Sequence, residues 1–155
     1  MLVEVQALVS ESELVPPRRV ASGIERNRLA LVLAVLARHA GVGVGGADVF
    51  VNVAGGLRAD EPGADLAVAL AVASAARGVP VGAPGAERPP ACFGEIGLTG
   101  ELRAVAHADR RLAEARKFGL APVLAPPETG AGTTELLSLR DALGAALGGP
   151  RRAAA

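Results

Sequence analysis

The chain has 155 residues, enough for one domain with a substantial core, and its 16 basic and 16 acidic side chains cancel. This balance excludes a global field that would attract nucleic acid or a membrane, and the absence of Trp and Tyr excludes an aromatic platform for stacking single-stranded bases. A single Cys excludes a disulfide framework and a cysteine-rich zinc site, so we expect a cytoplasmic protein. The apolar run at 29–37 is too short to span a membrane.

Apolar patterning and turn residues predict an alternation of strands and helices. The predicted strands lie within residues 2–9, 18–22, 48–56, 91–105 (a hairpin with a Thr-Gly turn) and 120–126. The predicted helices lie within 22–40, 62–77, 109–119 and 135–147, the last capped by Thr133 or Thr134. This pattern indicates a single α/β (α+β) domain over 1–147, with a mixed sheet and about four helices. Residues 148–155 are expected to form a disordered tail.

Two helix starts carry distinctive signals. Ser22 and Glu25 match a capping box, in which the Ser accepts a backbone hydrogen bond and the Glu reaches back. The next helix begins under three acids, Asp60, Glu61 and Asp65. Since negative charge near a helix N-terminus stabilises by roughly 0.3–1 kcal/mol per group, we interpret these acids as helix capping rather than as catalytic carboxylates. The first helix reads LALVLAVLA in its middle and is expected to be buried all round.

Few residues are placed for catalysis or metal binding. The stretch GVGVGG lacks the lysine and the preceding strand of a phosphate-binding loop, so it is interpreted as a turn. His39 and His107 have no other ligands at metal spacing, and no metal site is expected. Cys92 lies among apolar residues in a predicted strand, where core packing is its expected role.

Five stretches resemble, in order and spacing, the C-terminal domain of the RadA (Sms) family of bacterial DNA-repair and recombination proteins. They read LVEVQALV, PRRVASGIERNRLALVLAVLARHAG, DVFVNVAGG, DLAVALAVASAARG and FGEIGLTGELRAV, and the resemblance covers about residues 2–146. That domain is similar in fold to the proteolytic domain of the Lon protease. The resemblance therefore implies a Lon-like fold for this chain.

The comparison with Lon also bears on catalysis. In Lon a nucleophilic Ser lies in an Asp-Gly-Pro-Ser-Ala-Gly segment; the matching DEPGAD keeps Asp60 but has Gly63 where the Ser would be. Asp109 stands where Lon has its catalytic Lys, and the only lysine, Lys117, is predicted near an exposed helix end. Arginine cannot replace the base because it stays protonated. The resemblance thus implies vestigial positions at Asp60, Gly63 and Asp109 and no enzyme activity in this domain. A Lon-like serine peptidase with residual activity is the disfavoured alternative.

For the domain alone, the resemblance implies a scaffold that forms a ring, expected to be a hexamer, and that holds single- or double-stranded DNA during recombination and branch migration. RadA proteins carry a zinc motif and a RecA-like ATPase ahead of this domain. This sequence has neither a Cys-x-x-Cys pair nor a Walker lysine, so no cofactor is expected in it, and ATP and zinc would belong to the missing N-terminal parts. A weaker alternative is a peptide- or protein-binding use of the cleft around Gly63.

Two basic stretches are candidates for phosphate contact. Residues 15–40 hold five arginines and one acid, and residues 103–117 hold five basic residues and two acids. The alternative is that these charges are solvated helix faces or subunit ion pairs, which is favoured for Arg116 and Lys117 at a helix C-terminus. A purely structural ring-former without DNA affinity stays open. The DNA-binding candidates are Arg18, Arg19, Arg26, Arg28, Arg103, Arg110 and Arg111.

Overall fold

The computed structural model describes residues 1–148 of the chain, so most of the tail predicted for 148–155 lies outside the described residues. Strands and helices alternate, which confirms the mixed α/β class. The strands are β1 (Val5–Glu11), β2 (Arg19–Ser22), β3 (Ala47–Val53), β4 (Ala91–Cys92), β5 (Glu95–Ile96), β6 (Leu102–Arg103), β7 (Val123–Ala125) and β8 (Thr134–Glu135). The helices are α1 (Arg26–His39), α2 (Asp65–Arg77), α3 (Ala108–Lys117) and α4 (Leu139–Leu147). The Lon-like arrangement and the single-domain boundary stay predictions.

The strands form three small sheets rather than one. In the first, β3 lies between β1, to which it is antiparallel, and β2, to which it is parallel. The second sheet, in the order β4-β7-β8, is parallel throughout, and β5 and β6 form an antiparallel hairpin. The hairpin predicted for 91–105 is therefore shorter than expected. The chain turns away at Gly94, whose N–H donates to the Gly63 carbonyl at 3.0 Å, so β4 pairs with β7 instead.

Helix α2 lies in the core and packs against β1, α1 and α4. Leu66 and Val72 are fully buried, and Ala69 and Ala73 let the neighbouring elements approach closely. The helix ends, as predicted, at Gly78, which adopts a left-handed conformation. Within residues 1–148, none of the helices is both long and apolar enough to cross a bilayer.

Helix α1 is buried on one side only, which corrects the expectation of burial all round. Leu29 and Leu36 are buried, whereas Ala30, Ala34 and Ala37 are exposed. Alanine counts as apolar in a sequence pattern, yet its single methyl group faces water at little cost. The sequence therefore overestimated how much of this helix the core covers.

Two predicted helix caps are wrong. Ser22 is the last residue of β2, and Glu25 is itself the N-cap of α1, without a side-chain hydrogen bond to the backbone. The register of β2, which pairs Ser22 with Asn52, holds that serine in the sheet one turn too early for a cap. Helix α4 begins later than predicted, because Thr134–Glu135 pairs with β7. The Ser138 hydroxyl is the observed cap and accepts a hydrogen bond from the Asp141 N–H at 3.1 Å.

Candidate functional site

The loop that precedes α2 contains Gly63, which the resemblance matches to the nucleophile of Lon, and hydrogen bonds from other parts of the fold hold this loop. The Ala59 N–H donates to the Gly23 carbonyl at 2.7 Å, and the Gly63 carbonyl accepts from Gly94. Gly63 is buried, and Pro62–Ala64 forms a single 3-10 turn that leads into α2. The sequence correctly predicted a helix start here.

The three acids of this loop bind arginines and do not cap the helix. None of their carboxylates accepts a hydrogen bond from the first turns of the 3-10 segment or of α2, so the capping interpretation is wrong in that respect. In two of the three cases the arginine lies far away in the sequence, so a local sequence pattern could not reveal the pair. The pairs are Asp60 with Arg58, Glu61 with Arg111 and Asp65 with Arg28.

The Arg28–Asp65 pair lies at the junction of α1, α2 and β5. Asp65 is 1% exposed; its Oδ1 accepts from Arg28 Nε at 2.6 Å, and its Oδ2 accepts from the Ile96 N–H at 3.0 Å. Arg28 Nη2 also donates to Asp65 Oδ2 and lies 3.6 Å from Glu95 Oε1. The hydrogen bond with Asp65 raises the pKa of Arg28. Arg28 therefore binds a buried carboxylate inside the fold, and that carboxylate neutralises its charge.

The Arg111–Glu61 pair covers Gly63. Arg111 Nη1 donates to Glu61 Oε1 at 2.6 Å and Nη2 to Oε2 at 2.9 Å, and the guanidinium also lies 5.7 Å from the centre of the Phe93 ring. This bidentate bond lowers the pKa of Glu61 and raises that of Arg111. A side-chain carbon at Gly63 would meet Arg111 Nη1 at 3.0 Å and Glu61 Oε1 at 3.1 Å. A side chain here would touch an ion pair rather than a general base.

A cavity of about 560 Å³ opens beside Gly63. Its charged walls carry both signs, and Asp109, which the resemblance matches to Lon's lysine, is exposed and does not line it. The residues that line the cavity thus include neither a serine nor a lysine, although Cys92 is among them. Its charged and titratable lining side chains are Arg58, Asp60, Glu61, Cys92, His107, Arg110, Arg111 and Glu114.

A second ion pair joins the exposed Arg18 to the buried Asp48. Asp48 is 2% exposed and accepts from the Arg18 N–H at 2.6 Å, from Nε at 3.2 Å and from Nη2 at 2.9 Å. The backbone and side-chain hydrogen bonds from Arg18 lower the pKa of Asp48 from 3.8 to about 2. The guanidinium also lies 5.7 Å from the centre of the Phe50 ring. The Arg18 side chain is 58% exposed, but like Arg28 it is paired with a buried carboxylate of the same chain.

Asp48→Asn should make stability less sensitive to acid. The pKa of Asp48 is about 2 in the folded state against 3.8 ordinarily, so its contribution is complete above pH ~4 and is lost as the pH falls toward about 2. We expect the variant to be less stable near neutral pH and to lose less of its remaining stability between these pH values, as measured by urea denaturation. The exposed Asp109→Asn variant should follow the wild type. An equally steep acid loss in the wild type and in Asp48→Asn would contradict the assignment.

The other arginines that the sequence suggested for DNA binding differ in whether an acidic side chain pairs with them. Arg103 pairs with Glu101, its Nη2 lying 2.9 Å from the Glu101 carboxylate. Arg19 donates to the carbonyls of Val44, at 2.9 Å, and Ala47, which leaves its charge uncompensated. Arg26 and Arg110 are exposed, and neither forms an ion pair with any residue in 1–148. In this part of the chain, the candidates without an acidic partner are Arg19, Arg26 and Arg110.

The two histidines and the cysteine lie in surroundings that indicate a structural role. Among residues 1–148, no three His, Cys, Asp or Glu side chains come together as a metal site. His39 packs against Gly100, and His107 precedes α3 in a left-handed conformation. Cys92 packs against the main core, as predicted, and burial raises the pKa of its thiol to about 12. That thiol is unreactive near neutral pH.

Comparison with known proteins finds clear relatives, although no protein-family model matches the chain. DNA repair protein RadA of Haemophilus influenzae is 48% identical over 126 residues, which make up 81% of this chain and 26% of that protein. The RadA of Brucella abortus is 48% identical over 132 residues, or 84% and 27% of the two chains. The RadA of Bacillus subtilis is 42% identical over 127 residues, or 81% and 26%. The chain thus spans about a quarter of the length of these curated relatives.

Proposed function

Since this chain belongs to the RadA family, as a part about a quarter as long as its curated relatives, we propose that it is a non-catalytic domain of a RadA-like DNA repair protein. Its proposed role is to hold DNA and to form part of a ring, expected to be a hexamer, during recombination and branch migration. ATP and zinc would be bound by other parts of such a protein. The observation that carries the proposal is the identity with RadA proteins over at least four-fifths of the chain.

The geometry around Gly63 supports the absence of peptidase chemistry. A Ser–Lys mechanism needs a nucleophile within hydrogen-bond reach of a deprotonated amine. Here Gly63 carries no nucleophile, and the Arg111–Glu61 pair occupies the adjacent space. Lys117 lies in the last turn of α3, and Asp109 is exposed. A residual peptidase would require rebuilding both the loop and the start of α3.

The partners of the arginines support a narrower DNA contact than the sequence predicted. A guanidinium already neutralised by a carboxylate gives little net attraction to phosphate, because its partner repels the same group. Arg26 is the first residue of α1, and Arg110 is the third residue of α3, where free backbone N–H groups also favour anions. Arg26 Nη2 reaches the Arg19 carbonyl at 3.4 Å, so Arg19 and Arg26 are neighbours. We therefore assign the proposed phosphate contacts to Arg19, Arg26 and Arg110.

Fluorescence anisotropy of labelled single- and double-stranded DNA, at two salt concentrations, tests this assignment. Arg26→Gln combined with Arg110→Gln should weaken binding by about tenfold and should reduce the salt slope by roughly one per lost phosphate contact. Both side chains are exposed, so the fold should survive. Arg88→Gln, which changes an exposed arginine outside the candidate set, is the matched control and should leave affinity unchanged.

Equal affinities for the wild type and the double variant would contradict the assigned contacts. A folded chain that assembles in sedimentation velocity but binds no DNA at low salt would instead favour the purely structural ring-former. Arg18→Gln separates the two roles of arginine, because its loss should lower stability through Asp48 while changing DNA affinity little.

A further inference from the structure

A groove of about 610 Å³ separates the free edges of two sheets. One wall is formed by residues 2–7, which run into β1, and the other by residues 89–92, which include β4. The floor is one face of α2, on which a row of small side chains lies beside Leu70. These are Ala67, Ala71, Ser74 and Ala75.

The edge of β1 carries unpaired backbone groups. β1 is the outer strand of its sheet and pairs only with β3. The Ala54 N–H donates to the Glu4 carbonyl at 2.9 Å, and antiparallel pairing continues from there with alternate residues. The N–H and C=O groups of Val5 and Ala7 consequently point away from β3, along the wall of the groove. They have no strand partner within residues 1–148.

The edge of β4 repeats this arrangement on the opposite wall. The Ala91 N–H donates to the Pro122 carbonyl at 3.0 Å and the Phe93 N–H to the Leu124 carbonyl at 3.1 Å, both on the β7 side. The backbone groups of Cys92, between them, therefore point away from β7. Cys92 also lines the groove. Both walls thus present backbone donors and acceptors.

The side chains of the groove are nearly all small or aliphatic. Glu4 is the charged residue among those that line it, and it already accepts a hydrogen bond from Gln6 Nε2 at 2.8 Å. Because no arginine or lysine lines this surface, it is poorly suited to nucleic acid. Small floor residues let another backbone approach α2 closely. The chemistry suits an uncharged, extended chain.

We propose that this groove binds an extended apolar polypeptide segment, which adds as a strand to the free edge of β1. A strand offers backbone donors and acceptors at the two-residue repeat that Val5 and Ala7 present, and a small organic molecule does not. Its side chains would alternate between the α2 floor and solvent, and small aliphatic residues fit that floor. A lysine or arginine at one end would lie near Glu4. The site is separate from the arginines assigned to DNA.

The direct test is amide hydrogen exchange of the whole chain, measured by NMR, with the peptide Lys-Val-Ala-Val-Ala-Val-Lys. In the free protein the amides of Val5 and Ala7 should exchange fast, while those of Gln6 and Leu8, which face β3, should be protected. Saturating peptide should slow exchange at Val5 and Ala7 by at least about tenfold. The same peptide with an N-methyl group on every backbone amide keeps its side chains but has no N–H donor on either edge, so it should lose this protection.

Two variants of α2 give a matched pair. Ala71→Phe fills the floor of the groove and should weaken peptide binding at least tenfold in fluorescence anisotropy. Ala76→Phe changes an exposed alanine on another face of the same helix and should leave it unchanged. Equal affinity of Ala71→Phe and wild type, equal binding of the methylated peptide, or no saturable binding up to about millimolar peptide would each overturn the proposal. DNA affinity should be the same in both variants, so the groove and the DNA contacts are tested independently.

Discussion

Arg28→Ala is expected to lower the free energy of unfolding by about 3–5 kcal/mol, because it leaves a buried carboxylate without its cation. Asp65 is 1% exposed, and Arg28 donates both of the side-chain hydrogen bonds that the Asp65 carboxylate accepts. After the substitution only the Ile96 N–H would still donate to that carboxylate. Urea denaturation near neutral pH measures the loss directly.

Arg26→Ala is the matched control for this prediction. Arg26 lies two residues earlier on the same helix, is exposed and forms no ion pair with residues 1–148, so its loss should change stability by no more than about 0.5 kcal/mol. Replacing both members of the pair, as Arg28→Met with Asp65→Leu, should recover part of the loss, because no buried charge then stays unpaired. A cost for Arg28→Ala as small as that for Arg26→Ala would mean that water reaches Asp65.

This prediction also changes how DNA-binding variants should be interpreted. Arg28 was a DNA-binding candidate from sequence, and a variant that unfolds would lose DNA affinity without ever having contacted DNA. Arg26→Gln removes a nearby charge on the same helix at little structural cost. The pair Arg26 and Arg28 therefore separates a phosphate contact from a structural ion pair, provided that stability and affinity are measured on the same samples.

The sequence predicted elements whose signals lie within the element itself. The apolar pattern of β3 and the apolar row of α2 with its terminal Gly78 each fall within a short window. The two-residue strands β4 and β8 carry no such signal, because each is defined by its pairing with β7, whereas β5 and β6 flank the Thr-Gly turn that predicted a hairpin. For this reason the structure has β8 where the sequence predicted the first turn of α4, and β4 pairs with β7 rather than taking part in the predicted hairpin.

The ion pairs of the arginines could not be predicted from the sequence for a related reason. Asp48 lies 30 positions from Arg18, and Asp65 lies 37 positions from Arg28, so no local spacing connects them. Glu61 and Arg111 are 50 positions apart, although their pair is what closes the space over Gly63. By local sequence, residues 15–40 and 103–117 each carry an excess of basic side chains. In the fold, acids from elsewhere in the chain neutralise Arg18, Arg28 and Arg111 in those stretches.

Gly23→Ala should also be strongly destabilising, lowering the free energy of unfolding by about 2–5 kcal/mol. Gly23 has φ +82°, where an L-residue costs about 1–2 kcal/mol. An added Cβ would also collide with the Leu57 carbonyl and lie 2.8 Å from Val53 Cβ, and overpacking of this kind costs roughly 1–3 kcal/mol. Both neighbours are close to the backbone and cannot swing away as a long side chain would. Chemical denaturation of the purified variant measures the sum.

Two other glycines separate these contributions. Gly41 has φ +69° but nothing within 4 Å of an added Cβ, so Gly41→Ala should show the conformational cost alone, about 1–2 kcal/mol. Gly43 lies outside the left-handed region and also has open space, so Gly43→Ala should be neutral or stabilising by up to about 1 kcal/mol. If Gly23→Ala costs no more than Gly41→Ala, the loop at Leu57 yields to the methyl group. Because the Gly23 carbonyl binds the Ala59 N–H, such a shift would move the loop that carries Glu61 and loosen the cover over Gly63.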